Sequence, residues 1–153
     1  MIPDFVRAVV TGNALTFRYP GATRPWQHVL ALVYGYLVIL AGLLAKDPRK
    51  VIQAWNLGPQ DPKQYSVRDV LELMSQHWQR PSLEYMDDPL PEAQALALDS
   101  SLARNRLGWI PPWNTERVIK ETAAWYRDYC SDPDSARPIT MNQINAWREG
   151  IGR

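Results

Sequence analysis

The chain reads as an incomplete α/β fold, mostly helical with a few short strands, and three observations predict it. Thirteen prolines and eight glycines punctuate the 153 residues into short elements, without internal repeats or low-complexity tracts. Apolar residues recur at helical spacing through most of these elements, and segments with strand character fall between them. That alternation indicates an α/β arrangement, yet the strands are too few and too scattered for a complete doubly wound sheet.

The first helix spans residues 3 to 11, opening on Pro3 and ending near Gly12. A short strand follows at Leu15 to Arg18, and Pro20-Gly21 makes a turn. From Val29 to Ala45 run seventeen residues without a charge. As a helix this run is roughly 26 Å long at ~1.5 Å per residue, short of a hydrocarbon core of ~30 Å. Gly35 and Gly42 interrupt it, and Tyr34 and Tyr36 sit a third of the way along, not at its ends. The expectation is a helix buried between layers of a soluble fold, with a small single-span membrane protein as the alternative.

Residues Ala54 to Pro59 read as a strand running into a turn. Ser66 and Asp69 have capping-box spacing, and Val67, Val70, Leu71, Met74 and Trp78 supply a core stripe behind them. Ser82 to Met86 alternates as a strand, and the acidic, proline-rich Asp87 to Glu92 is a loop. Asp99 caps a short helix stopped by Gly108. A longer helix follows Asn114 or Thr115, with Val118, Ile119, Thr122, Ala123, Tyr126 and Tyr129 on one face and Glu116 paired with Lys120 on the other. It is expected on the surface of the fold. After the Pro133 turn, Thr140 and Gln143 offer a capping box for a terminal helix. Residues 1–130 then form the main lobe, and 131–153 a loosely attached tail.

Seventeen basic against sixteen acidic residues leave no concentration of either sign, so there is no electrostatic footprint for nucleic acid or an anionic membrane. Any anionic ligand must be held locally. The single cysteine, Cys130, excludes an intramolecular disulfide and fits a reducing compartment. The opening MIPDFVRAVV does not read as a signal peptide, and the expected location is cytoplasmic. His28 and His77 lie in different elements without a carboxylate at metal-ligand spacing, so no metal is expected. Asp87, Asp88 and Glu92 are accounted for by an exposed loop, without hydrolytic chemistry.

The stretch Phe17 to Val29, FRYPGATRPWQHV, holds the candidate site. Arg18 and Arg24 flank a Pro-Gly turn, with Trp26, Gln27 and His28 beyond. A guanidinium offers planar, permanently charged donors suited to phosphate, and an indole offers a flat face for a base or sugar. The bland reading of the same residues is an arginine on a turn with a tryptophan packed beneath it.

The order ATRPWQHV, a helix containing GYL, WNLGP, then SV opening a helix that ends in Trp78, resembles the C-terminal half of CDP-glucose 4,6-dehydratases. These are NAD-dependent lyases of the extended short-chain dehydrogenase/reductase superfamily. IPDFVRAV and LALDSSLARNRLGWIPPWNTERVIKETAAWYRDY keep the same order, so the likeness covers essentially the whole chain. It implies the substrate-binding lobe of an extended Rossmann-type enzyme. It also implies that Arg24 reaches the diphosphate of a CDP-sugar, with Trp26, His28, Asn56 and Glu92 as further substrate-binding candidates. In such enzymes NAD removes hydride from C4 of the glucose, water leaves across C5 and C6, and hydride returns to C6.

Two departures stand out. Where such enzymes carry HPHEA before LKLD, this chain reads PLPEAQALALD, with Pro89, Pro91, Gln94 and Ala97 in place of histidines and a lysine. Family glutamates and a proline are also absent from the Val29 to Ala45 helix. Chemistry by NAD further requires a glycine-rich strand-turn-helix, and neither Gly-x-Gly-x-x-Gly nor Gly-x-x-Gly-x-x-Gly occurs. None of the seven tyrosines has a lysine four positions on. This chain alone is therefore expected to bind no cofactor and to be inactive, with NAD and the catalytic groups supplied by an N-terminal half it does not contain. The expected partners are that half or a second copy of the chain. A degenerate, non-catalytic nucleotide-sugar-binding or subunit-interaction protein is the alternative.

Overall fold

In the computed structural model, which describes residues 1–45, 54–61, 63–86 and 93–151, the helices fall where the apolar periodicity puts them. Helix α1 (Ile2–Thr11) carries Pro3 in its first turn and stops at Gly12, whose φ of 72° is the left-handed conformation glycine adopts without a side-chain penalty. Strand β1 (Leu15–Phe17) follows, and then α2 (Val29–Leu44). Helix α3 (Val67–His77) opens with a complete capping box. Ser66 Oγ accepts from the Asp69 amide at 3.1 Å, and the Asp69 carboxylate accepts from the Ser66 amide at 2.8 Å. Strand β2 (Leu83–Tyr85), α4 (Thr115–Ser131) and α5 (Ala136–Gly150) complete the order.

Strands β1 and β2 pair in parallel, Leu15 opposite Leu83 and Phe17 opposite Tyr85, so the chain crosses over through α2 and α3 between them. Two cores result. Phe5, Leu15, Val70, Leu71, Met74 and Ile119 join α1, β1, α3 and α4. Ala31, Leu57, Leu107, Trp109, Trp113 and Trp147 join α2, α5 and the loops between. Helix α4 serves both, giving Ile119 and Ala123 to the first and Val118 to the second. It thus lines both cores from the expected surface position, with Glu116, Lys120, Arg127 and Tyr129 exposed on its outer side.

Three expectations are corrected. Residues 54–59 form no strand, because side chains take their backbone groups: Gly58 N–H donates to Ser100 Oγ at 2.7 Å and Leu57 C=O accepts from Gln27 Nε2 at 2.6 Å. Thr140 does not cap a helix. It lies inside α5, where its hydroxyl donates to Ala136 C=O at 2.7 Å and accepts from Trp125 Nε1 at 2.9 Å. The terminal helix is also not loose: Trp147 is buried with its ring 4.8 Å from that of Trp113, and Gln143 Nε2 donates to Glu121 C=O at 2.7 Å.

Helix α2 differs most from a helix buried between layers. Ala31, Gly35 and Gly42 alone are buried, while Val29, Tyr36, Leu37, Leu40 and Leu44 are each more than half exposed. The covered face is narrow because it packs at backbone distance. A Cβ on Gly35 would sit 2.5 Å from Leu57 Cδ1 and 3.1 Å from Trp109 Nε1. Among the described residues no helix is long and apolar enough to cross a membrane.

Candidate functional site

The segment joining β1 to α2 is shaped by one unusual residue. Tyr19, ahead of Pro20-Gly21, takes a φ of 48°, a left-handed conformation uncommon for a residue with a side chain. The chain reverses there and delivers Thr23 to a junction of three segments. Thr23 N–H donates to Gln94 C=O at 3.0 Å, Leu96 N–H donates to Thr23 C=O at 3.2 Å, and Thr23 Oγ1 donates to Gln64 Oε1 at 3.0 Å.

Arg24 follows from this junction. Its Nη1 donates to Thr23 C=O at 2.7 Å and to Ala93 C=O at 3.0 Å, which sets the plane of the guanidinium. Trp26 Nε1 donates to Tyr65 C=O at 2.9 Å, and its half-buried ring packs against the first core. Arg24 and Trp26 line one cleft of about 200 Å³ together with Asp61, Lys63, Tyr65 and Ala97. Asp61 Oδ2 accepts from the Thr115 amide at 2.6 Å, at the start of α4. The Lys63 ammonium lies 4.4 Å from the centre of the Tyr65 ring. Tyr65 donates its hydroxyl to Glu116 Oε1 at 3.2 Å, and burial, aided by the Glu116 charge, pushes its phenol up to about 12.

His28 is placed elsewhere. It is the N-cap of α2, 8% exposed, with Nδ1 accepting from the Leu30 amide at 3.3 Å. That acceptor role assigns the imidazole proton to Nε2. Its ring stacks on Trp147 at 6.1 Å and meets Trp113 edge-on at 5.2 Å, and burial pushes its pKa down to about 4. His28 lines a second, larger cleft of about 490 Å³, predominantly apolar, with Ile2, Gln27, Leu30, Trp125 and Thr140. The larger cleft is the poorer match to a charged ligand, because Arg24 lines the smaller one. Asn56 is exposed and lines neither; it stands three residues before Pro59, which lines the Arg24 cleft. Glu92 lies outside the described residues.

Arg24 and Trp26, neighbours in one loop, thus line one cleft, and Asp61, Lys63 and Tyr65, which the sequence does not single out, line it with them. Nothing marks these three in the sequence, since they lie about forty positions from Arg24 and have no motif of their own.

The fold has a solved counterpart. The UDP-glucuronic acid 4-epimerase of Bacillus cereus, determined with UDP-glucuronic acid and NAD, matches with a TM-score of 0.67 at 15% identity, over 82% of this chain and 38% of that one. The likeness is one of fold: the chain, mostly helical with two short parallel strands, is built like a part of that epimerase. Its sequence relation is narrower. It is 35% identical over 133 residues to the CDP-glucose 4,6-dehydratase of Salmonella typhimurium, and the resemblance read from TRPWQHV and WNLGP holds over the C-terminal part of that enzyme. The match takes in 83% of this chain and 37% of the relative, so the chain spans little more than a third of its length. No family model matches the chain.

The β1–α2 junction does not fit NAD: β1 runs into Tyr19 and the Pro20-Gly21 turn, and α2 opens on Val29 without a glycine in its first turn, so no backbone cradle for a pyrophosphate forms at that junction.

Proposed function

We propose that this stretch is the substrate-side lobe of a CDP-glucose 4,6-dehydratase-like enzyme, holding the nucleotide diphosphate with Arg24 as principal anchor. The observation that carries the reading is the shared cleft: an oriented guanidinium and an indole edge converge on one small volume bordered by a second cation. Trp26 lines that volume beside Arg24, and Asn56 and Glu92 are assigned to substrate contacts on the resemblance alone. His28 acts by capping α2 and so positioning the segment that carries Arg24. NAD and the proton-transferring groups belong to polypeptide outside these residues.

Titration of the chain with CDP tests the reading. Arg24→Ala is expected to weaken binding at least tenfold, the scale of a lost charge-assisted contact. UDP and dTDP, titrated in parallel, report base preference. Equal weak binding by the wild type and Arg24→Ala would defeat the assignment. Gln94 and Ala97, standing where the resemblance puts basic side chains, favour a second reading in which binding persists without turnover. Mixing the chain with a separately made NAD-binding half separates the two: dehydration supports the enzyme lobe, and binding alone supports the other.

The bare face of α2 belongs to the same proposal. Tyr36, Leu37, Leu40 and Leu44 present contiguous apolar surface of the kind that marks an interface, and the larger cleft adjoins it through Val29 and Leu30. We assign this face to the complementary lobe. Without that lobe, the chain is expected to self-associate, with Leu37→Glu and Leu40→Lys together restoring a monomer. Sedimentation velocity on both proteins measures this, and a wild-type monomer at high concentration would count against it.

A further inference from the structure

We infer that Lys63 is a second cationic ligand of the diphosphate, facing the same cleft as Arg24, an inference that rests on the nucleotide-binding reading above. Three charged side chains line that cleft: Arg24, Asp61 and Lys63. The Asp61 carboxylate is directed to the Thr115 amide at the start of α4, where the helix dipole favours a negative charge. Lys63 is held differently. Its ammonium rests over the face of Tyr65, a contact that attracts a cation through the ring quadrupole and leaves its N–H donors to point elsewhere. Among the described residues no carboxylate lies in an ion pair with it, although Asp69 is near enough to feel its charge.

Tyr65 couples the two halves of the site. Its carbonyl accepts from Trp26 Nε1, its hydroxyl donates to Glu116, and its ring carries the Lys63 ammonium. The same residue therefore fixes the height of the indole next to Arg24 and the position of the second cation. Arg24 supplies a planar fork of fixed orientation, and Lys63 a compact charge on a flexible stem. A single phosphate engages one of them at full strength, whereas a diphosphate engages both. Lys63 is thus the residue by which the cleft distinguishes a nucleoside diphosphate from a monophosphate.

Ala97 lines the same cleft from another segment and supplies the control, because a lysine placed there returns a cation to the same volume. Calorimetric titrations with CDP and with CMP are made on the full 153-residue chain and on Lys63→Met, Arg24→Ala and the double variant Lys63→Met/Ala97→Lys. Thermal midpoints are recorded for each. Lys63→Met is expected to lose about tenfold in CDP affinity and less than about threefold for CMP, with an unchanged midpoint, and the double variant to recover most of the loss. Lys63→Met binding CDP as tightly as wild type, while Arg24→Ala does not, would overturn the role of Lys63 and leave the nucleotide reading standing. Equal losses for CDP and CMP that the second lysine does not repair would also overturn it. A wild-type chain that binds neither nucleotide would remove both readings.

Discussion

Replacing Trp109 by alanine is expected to cost about 4 kcal/mol, the middle of the range for deleting a buried aromatic side chain. The indole is fully buried at the centre of the second core, under Gly35 of α2 and against Leu57. Its Nε1 donates to Ala31 C=O at 3.0 Å, so truncation leaves a cavity and also removes a buried hydrogen bond to α2. A domain of this size has roughly 5–15 kcal/mol in total, and the loss removes a large share of it. Urea unfolding followed by circular dichroism measures the effect. Trp109→Phe keeps most of the apolar volume and loses only the N–H, so it should fall between wild type and alanine. A shift below about 1 kcal/mol for the alanine variant would show that the ring does not fill the core.

Stability is also expected to fall by about 3 kcal/mol as pH drops from neutrality to about 4, with His28 as the cause. The folded imidazole has its pKa depressed by burial from an ordinary 6.5 to about 4, among Trp113 and Trp147. Between those two values the unfolded chain takes up a proton at His28 and the folded chain does not. Each pH unit in that window therefore favours unfolding, and the contribution is constant above 6.5 and below about 4. Protonation would also end the acceptance by Nδ1 from the Leu30 amide, releasing the cap of α2. Carboxylates act in a lower window. Hydrogen bonding holds Asp4, Asp69 and Asp99 below the usual carboxylate value, so their contribution is lost only as pH falls through those depressed values. His28→Asn keeps a capping acceptor and removes the titration. Urea midpoints at pH 7, 5.5 and 4.5 should decline for wild type and flatten for the variant; matching slopes in the two proteins would exclude His28 as the source.

Local elements were legible wherever neighbours in sequence are also neighbours in space. The Ser66–Asp69 capping box, the Gly12 and Gly108 stops and the Val70, Leu71, Met74 stripe are such cases, each decided within one or two helical turns. Thr140 and Gln143 show the limit. Their spacing is that of a capping box, but Trp125 and Glu121 on α4 recruit both side chains into helix packing. Residues 54–59 fail for a related reason, since their backbone partners, Gln27 and Ser100, are about thirty and forty positions away. At the site, Arg24 and Trp26 were readable because two chemically apt residues stand side by side in one short loop. His28 was readable as a candidate, yet its neighbours Trp113 and Trp147 come from other parts of the chain and make it a buried cap.

The sequence alone was enough for α1 to α4, the strand positions at Leu15 and Leu83, the resemblance to part of a dehydratase, and the want of a glycine fingerprint for NAD. Periodicity, caps and motif order are short-range properties, and a linear chain displays them directly. Tertiary structure decided which face of α2 is covered, that α4 joins two cores, and that Lys63 and Asp61 share a cleft with Arg24. The physical reason is clearest in α2. A helix apolar on every side has no stripe to mark its buried face, so the choice passes to the close approach of Gly35 to Leu57 and Trp109.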